Sequence, residues 1–143
     1  MFCRLVIAEM LLACLALVST GCGNNEESLT FVKGHIYYKE RLIRQGTIVF
    51  TPDSERGGRG DVAIAEIGPD GSYNLKTGNL PGAAPGWHRV TLVAVEEASH
   101  NPDPDQFAEL RSLLPSSYRD PDLSGLTFEV LPGKVNIKDF HLI

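Results

Sequence analysis

The chain has 143 residues, 43% of them hydrophobic, with a formal net charge of −5 and an isoelectric point near 5.3. This length favours a single domain, and the apolar content is that of a globular protein rather than a disordered one. A nucleic-acid-binding surface needs clustered Lys and Arg, so the acidic balance argues against nucleic acid as a partner.

The N-terminus has the pattern of an export signal. Arg4 supplies a positive charge, residues 5–18 form an apolar run interrupted by Glu9, and small residues follow at 19–21. The run is shorter than the roughly 20 residues that a bilayer-spanning helix needs. We therefore expect residues 1–21 to be a signal peptide that is removed on export.

A cysteine stands at the end of this signal. The stretch Leu17-Val-Ser-Thr-Gly21-Cys22 resembles a bacterial lipobox, although Ser19 occupies the place where Leu, Val or Ile is usual. The resemblance implies a lipoprotein whose Cys22 carries diacylglyceryl and palmitate-type acyl chains. These would anchor the exported protein to the bacterial cell membrane or outer membrane. The alternative is ordinary secretion with Cys22 as a free thiol. Residues 22–29 are then a lipidated cysteine and a short linker.

Residues 30–143 are predicted to form one β domain. Alternating and β-branched segments separated by turn residues predict seven strands, at 30–38, 47–51, 62–67, 72–77, 87–95, 126–130 and 135–142. A Gly68-Pro-Asp-Gly71 turn joins the third strand to the fourth. One short helix is predicted over 103–114, where Asp103 and Pro104 begin an apolar pattern of helical spacing. This spacing of strands favours an all-β sandwich.

Two of the predicted strands have faces that can be assigned from the sequence. In the fifth strand His88, Val90, Leu92 and Ala94 share one phase, which we assign to the core. In the last strand Val135 and Ile137 lie on the opposite phase from Phe140 and Leu142. An extra residue near 138–139, a β-bulge, would explain the change of phase.

The domain resembles small lipoproteins of planctomycete-type bacteria that carry a transthyretin-like, carboxypeptidase-regulatory-like domain. The matching motifs are Gly34-His-Ile36, Ile48-Val-Phe-Thr-Pro52, Ala65-Glu-Ile-Gly-Pro-Asp-Gly-Ser-Tyr-Asn-Leu75, Pro85-Gly-Trp-His-Arg-Val90, Pro115-Ser-Ser-Tyr118, Ser124-Gly-Leu126 and the closing 133–142 segment. His88 departs from the usual Tyr, and Ile67 from the frequent Thr. The resemblance covers nearly the whole mature chain and implies a seven-stranded transthyretin-like (prealbumin-like) Greek-key sandwich. The family has no agreed molecular activity, and a fold does not supply one.

The segment from Asp120 to Gly125 has two interpretations. Asp120, Asp122 and Ser124 followed by Gly125 begin like a calcium loop, but the twelfth position is Leu131 instead of a bidentate Glu. We favour a structural lock. Tyr118 would insert beneath the loop, the two aspartates would accept hydrogen bonds from backbone N–H groups, and Ser124-Gly125 would turn the chain into the next strand.

No motif for chemistry is evident. His35, His88, His100 and His141 have no metal-ligand spacing, and no nucleophile is paired with a base. We expect no catalytic residue, no metal and no cofactor. The closing residues also lack the Tyr-Arg-Gly-Ser tail of hydroxyisourate hydrolases, which share the transthyretin-like fold.

Three residues are candidates for partner binding. Trp87 and Tyr37, with Tyr38 and Tyr73, would form a sugar-stacking face, and Arg59 begins an Arg-Gly-Asp tripeptide in a glycine-rich loop. Packing at a sandwich edge is the alternative for these aromatic residues.

The predicted function is that of a membrane-anchored, non-catalytic binding or structural module of the cell envelope, with a protein or polysaccharide partner. The alternative is a hydrolase or ligand-processing enzyme on a transthyretin-like scaffold. That alternative requires a concave site in which His88, His35 or Asp residues converge with Arg.

Overall fold

The computed structural model describes residues 28–95 and 111–143. The strands are β1 Val32–Tyr38, β2 Arg41–Leu42, β3 Gly46–Pro52, β4 Ala63–Ile67, β5 Ser72–Asn74, β6 Lys76–Thr77, β7 Leu80–Pro81, β8 Gly86–Ala94, β9 Leu126–Val130, β10 Asn136–Ile137 and β11 Phe140–Leu142. Two short 3₁₀ turns span Ser54–Arg56 and Ser116–Arg119. The predicted signal peptide, Cys22 and residues 103–110 of the predicted helix lie outside the described residues. Within the described ranges, no helix has the length and apolar character needed to cross a bilayer.

The strands form two sheets. In the five-stranded sheet, β1 pairs in parallel with β10 and β11 and antiparallel with β2 and β5. The six-stranded sheet is antiparallel, in the order β7-β6-β4-β3-β8-β9. The chain crosses from one sheet to the other at Leu75, which is buried between β5 and β6. The prediction of an all-β sandwich is confirmed.

The observed strands are more numerous than the seven predicted. The predicted fourth strand is divided at Leu75 into β5 and β6, and the predicted seventh is divided at residues 138–139 into β10 and β11. The two-residue strands β2 and β7 had no pattern long enough to be seen in the sequence.

The core follows from period-two alternation. Every second side chain of β8, from His88 to Ala94, is buried, as the sequence predicts. Phe50 of β3 lies at the centre, with its ring centroid 5.9 to 6.4 Å from the rings of His88, Tyr73, Phe128 and Phe140. Full burial of a large apolar side chain contributes about 1.5–3 kcal/mol, so this aromatic group is a main source of stability.

The last strand has a different phase from the one predicted. Val32 pairs with Asn136 and Ile36 pairs with Phe140, so the register of the parallel pairing is unchanged across residues 138–139. No extra residue is inserted, and the predicted bulge is wrong. Asn136 points inward with Phe140, whereas Val135 and Ile137 are exposed. The sequence pattern misled because the inward position holds a polar residue.

Asn136 is inward because its side chain closes the preceding turn. Its Nδ2 donates to the carbonyl oxygens of Leu131, at 3.0 Å, and Lys134, at 3.1 Å. Its Oδ1 accepts a hydrogen bond from the Leu131 N–H at 3.0 Å. The amide therefore satisfies three backbone groups that would otherwise be unpaired near the core.

Side chains complete the parallel pairing where β10 and β11 are separated. The Tyr73 hydroxyl donates to the Lys138 carbonyl oxygen at 2.8 Å, and Asp139 Oδ1 accepts from the His35 N–H at 2.7 Å. Gly34 faces this point, and a Cβ there would lie 1.8 Å from the Lys138 oxygen. Only glycine permits so close an approach of the two backbones.

The predicted helix does not extend to Leu114. Ser112 forms an isolated antiparallel bridge with Val95, and the Leu113 N–H donates to the Ala94 carbonyl oxygen at 3.0 Å. Ser112 and Leu113 therefore extend the pairing at the end of β8, and residues 111–114 are not helical. Pro115 contributes to this outcome because a residue before proline is disfavoured in the α conformation.

Replacing Asn136 tests the closure of the last turn. We expect Asn136→Ala to lower the free energy of unfolding by about 2–3 kcal/mol, because backbone groups lose their partners near the core. Chemical denaturation measures this. Ile137→Ala, one residue further on at an exposed position, should change stability by no more than about 0.5 kcal/mol. Equal effects of the two changes would contradict the assigned phase.

Candidate binding surfaces

The predicted partner-binding residues lie on two different faces. Trp87 is half-buried on the outer face of the six-stranded sheet, next to inward His88. Tyr37 lies on the outer face of the five-stranded sheet, where its ring stacks on His141 at 4.8 Å and 5°. Arg59 is exposed in the loop after the first 3₁₀ turn. The outer faces of a sandwich point in opposite directions, so Tyr37 and Trp87 cannot form one platform.

Tyr73 must also be removed from the predicted aromatic face. It is 1% exposed and belongs to the core beside Phe50. Burial, and then the negative charge of Asp139, raise the pKa of Tyr73 well above its usual range. Its hydroxyl is therefore protonated and acts as a donor to Lys138, as described above.

A cluster of charged side chains surrounds Arg89, on the same face as Trp87. The Arg89 guanidinium donates hydrogen bonds to Asp122 and Glu55, and it lies 3.4 Å from Asp53 Oδ1. We call the depression between these residues the Arg89 groove. It has a volume of about 250 Å³ and is completed by Arg56 and by Pro121, Gly125, Leu126 and Thr127.

Three separate segments bring these groups together. Arg89 projects outward from β8 because its neighbours His88 and Val90 fill the core. Asp53 directly follows β3 and is only 5% exposed; its carboxylate accepts a hydrogen bond from the Glu55 N–H at 3.2 Å and so begins the 3₁₀ turn. Asp122 comes from the loop before β9, more than thirty positions along the chain from Arg89. Sequence reasoning missed the cluster for this reason.

Trp87 lies beside the groove, in contact with the groove residue Arg56. The Arg56 guanidinium carbon lies 5.0 Å from the centroid of the Trp87 ring, a cation–π geometry, and Arg56 Nε lies 3.6 Å from Asp53 Oδ2. The Asp53 N–H donates to the Trp87 carbonyl oxygen at 2.8 Å. The backbone contact thus places the two residues side by side, and Arg56 links the Trp87 ring to the Asp53 carboxylate.

The electrostatics of the groove leave carboxylate oxygens available. The hydrogen bond with Asp53, and then the charges of Asp53, Glu55 and Asp122, raise the pKa of Arg89. Glu55 and Asp122 are largely exposed, and each has a second oxygen and further lone pairs directed to solvent. Carboxylates beside an aromatic ring and guanidinium groups can accept hydrogen bonds from hydroxyl groups while the ring packs on an apolar face.

The predicted lock segment has the following contacts. Asp120 Oδ1 accepts from the Asp122 N–H at 2.8 Å, and Ser124 Oγ accepts from the Leu126 N–H at 3.3 Å. The Tyr118 hydroxyl donates to the carbonyl oxygen of Ile143 at 3.2 Å, and Gly125 has a φ of 66°. The segment is joined to the C-terminal residue by Tyr118 and to the Arg89 groove by Asp122.

The described histidines do not converge. The Nδ1 atom of His35 lies 3.5 Å from Asp139, His141 stacks on Tyr37, and His88 is inside the sandwich. His100 lies outside the described residues. Across the described ranges, no three His, Cys, Asp or Glu side chains are placed to hold a metal ion.

His88 is a polar group in the apolar core. Its Nδ1 lies 3.0 Å from the Gly86 carbonyl oxygen, which it contacts as a donor, and Nε2 has no hydrogen-bond partner among the described residues. Burial lowers the pKa of His88, an effect that the bond to Gly86 opposes only in part. The imidazole is therefore held neutral in the folded protein.

A larger open groove, of about 600 Å³, lies where β4 and β5 separate toward different sheets. Its walls carry Ile64 and Val62, with Glu66 and Lys76 as the charged side chains. It contains no aromatic ring and no set of converging polar groups. It therefore offers less specific chemistry than the Arg89 groove.

Comparisons with known proteins give no family or structural relative. A scan against protein-family models and searches of curated proteins and of solved structures found no match to this chain. The transthyretin-like resemblance therefore rests on the sequence motifs alone.

The buried imidazole makes stability depend on pH. Unfolded His88 binds a proton near pH 6.5, whereas the folded protein binds it only at lower pH, so the unfolded state gains protons first as pH falls. Below pH 6.5 we expect the free energy of unfolding to fall by up to about 1.4 kcal/mol per pH unit from this group. His88→Phe should reduce this slope in denaturant titrations between pH 7 and 4. His141→Gln, at an exposed histidine, should retain it; an unchanged slope in His88→Phe would contradict the assignment.

Proposed function

We propose that this protein is an exported lipoprotein, anchored through acylated Cys22, whose β-sandwich is a non-catalytic module that binds polysaccharide in the cell envelope. The anchoring half of the proposal is supported by the signal-like residues 1–21 and by the lipobox-like sequence that ends at Cys22. Two or more acyl chains hold a protein on a membrane stably.

The finer description of the fold is part of the proposal. We infer a transthyretin-like Greek-key arrangement from the motifs at 34–36, 48–52, 65–75 and 85–90, which resemble the carboxypeptidase-regulatory-like pattern. The division into a five-stranded and a six-stranded sheet is compatible with it.

The observation that carries the binding proposal is the convergence of Arg56, Arg89 and three carboxylates in the Arg89 groove, with the Trp87 ring beside it in contact with Arg56. Sugars present hydroxyl groups, which carboxylates accept, and apolar ring faces, which aromatic side chains cover. The groove is shallow and open at the surface, which suits one or two residues of a long polymer better than a small molecule enclosed in a pocket.

The geometry favours this reading over the enzyme alternative. The alternative requires His35, His88 or Asp residues to converge with Arg, and the two histidines do not. His35 lies on the outer face of the five-stranded sheet, whereas His88 of the six-stranded sheet is buried in the core. Asp53 and Asp122 do converge with Arg89, as the alternative requires, but both carboxylates are ion-paired with its guanidinium. Neither His35 nor His88 lines the Arg89 groove.

Cys22→Ser tests the anchor. We expect the wild-type protein to fractionate with membranes and the variant to be released, because the acyl acceptor is lost. Fractionation of the cells, followed by mass measurement of the purified N-terminal peptide, checks the result. A variant that stays with membranes, or a wild-type peptide without acyl mass, would overturn the anchor.

Trp87 gives a direct test of polysaccharide binding because it is the single tryptophan of the chain. Its emission should change saturably when purified envelope polysaccharide, including peptidoglycan fragments, is added. Glu55→Gln combined with Asp122→Asn should weaken binding by about tenfold or more, since hydrogen bonds to charged groups contribute about 1.5–3 kcal/mol each.

Tyr37→Ala, on the opposite face, is the matched control and should leave the affinity within about twofold, since a surface residue outside the site makes no contact with the ligand. The melting temperature of each variant checks that the fold is retained. Equal affinity of the wild type and the double variant would contradict the site.

A further inference from the structure

Three large apolar side chains are exposed together at one end of the five-stranded sheet. Phe31 is 57% exposed, Val135 is 52% exposed and Ile137 is 69% exposed. We call these three residues the apolar patch. Their grouping is notable because single exposed apolar residues are common, whereas neighbouring ones mark an interaction surface.

The pairing of β1 with β10 places these side chains side by side. Val32 pairs with Asn136, and both are buried, so the residues before and after them point outward. The Asn136 N–H donates to the Phe31 carbonyl oxygen at 2.8 Å, which sets Phe31 beside Val135. Ile137 pairs directly with Lys33. No other described segment covers this part of the sheet.

Positive charge borders the apolar patch. Lys33 lies between Ile137 and Asn74 in the sheet, and Lys134 directly precedes Val135. Both lysines are exposed. Asp139 also lies on this face, but its carboxylate accepts a hydrogen bond from the His35 backbone N–H and lies 3.5 Å from Nδ1 of the His35 ring. A chain of net charge −5 thus presents two cations beside its exposed apolar side chains.

The position along the chain indicates what the patch faces. Phe31 lies nine residues after Cys22, a separation of at most about 30 Å when the chain is fully extended. A surface that must stay within this distance of an acylated cysteine meets the headgroups of the same bilayer. Lysine stems and aromatic or aliphatic side chains are the groups that such an interface accommodates.

We propose that the apolar patch is the surface by which the domain rests on the lipid bilayer. Phe31, Val135 and Ile137 enter the headgroup region, and Lys33 and Lys134 lie beside lipid phosphates. The proposal rests on the anchoring of Cys22 proposed above. Because Glu26 and Glu27 lie in the linker, apolar insertion is the main contribution and attraction to anionic lipid the smaller one.

A single tryptophan moved to the patch tests the contact. The full-length protein, purified from membranes with Trp87→Phe and Ile137→Trp, is placed in phosphatidylcholine vesicles with and without phosphatidylglycerol. We expect emission at shorter wavelength than in detergent-free buffer, and loss of most of the intensity when the acyl chains are brominated. Lys33→Glu with Lys134→Glu should reduce this quenching in vesicles that contain phosphatidylglycerol.

Leu123→Trp, in the same Trp87→Phe background, is the matched control. Leu123 is 67% exposed and lies in the loop beside the Arg89 groove, at the six-stranded sheet. It should not be quenched. Equal quenching at both positions would mean nonspecific adsorption and would overturn the proposal.

Flotation of the same vesicles separates the two proposals. Protein that floats but is not quenched at position 137 retains the anchor and overturns the patch. Protein that does not float overturns the anchor. In that case the patch is tested by adding an excess of brominated vesicles, and a tryptophan emission from position 137 that is not quenched overturns the patch as well. Sedimentation analysis that shows a dimer lost in Ile137→Ser would assign the patch to a second copy of the chain and overturn the lipid contact.

Discussion

The close parallel approach of β1 to the C-terminal segment is the constraint on which this structure depends. Every other strand of the five-stranded sheet pairs with β1, so no part of that sheet exists without it. The approach is possible because Gly34 has no Cβ opposite the Lys138 carbonyl oxygen. Tyr73 and Asp139 then satisfy the backbone groups that the separated strands leave unpaired.

The first and last strands of the domain are thereby joined. The register of this pairing also determines which side chains face outward, from the apolar patch to the Tyr37–His141 stack.

Stability and surface chemistry have separate sources in this domain. Burial of the apolar core, with Phe50 and its aromatic neighbours at its centre, is the main favourable contribution to folding. The exposed ion pairs of Arg89 with Glu55 and Asp122 contribute little, since such pairs are typically worth about 0–1 kcal/mol. These carboxylates can therefore exchange their contact with Arg89 for a contact with a ligand at low cost to the fold. Asp53 differs because it is buried, caps the 3₁₀ turn and holds the backbone of Trp87, so it positions the groove rather than serving as an exchangeable contact.

The strands could be predicted where alternation was uninterrupted, and not where a polar residue replaced an apolar one. The inward set of β8 followed from its sequence even though it includes His88, because three apolar residues continue the phase. In the last strand the inward Asn136 broke the pattern, so the sequence predicted a bulge that the register excludes, and Val135 and Ile137 are exposed. The helical spacing that ends at Leu114 was overridden by pairing with the end of β8. The Arg89 groove could not be predicted, because its members are far apart in the chain and meet only through the sheet register and two loops.

The two proposed surfaces are compatible because they belong to opposite faces. The apolar patch lies on the outer face of the five-stranded sheet, and Trp87 and Arg89 lie on the outer face of the six-stranded sheet. A sandwich of two sheets is about 10 Å thick between its backbone layers, and the side chains of both outer faces add to this distance. A domain that rests on a bilayer through the patch therefore presents the Arg89 groove away from the membrane, toward polymers of the envelope. On these two proposals, the short linker keeps the patch within reach of the lipid, and the lipid contact in turn orients the groove.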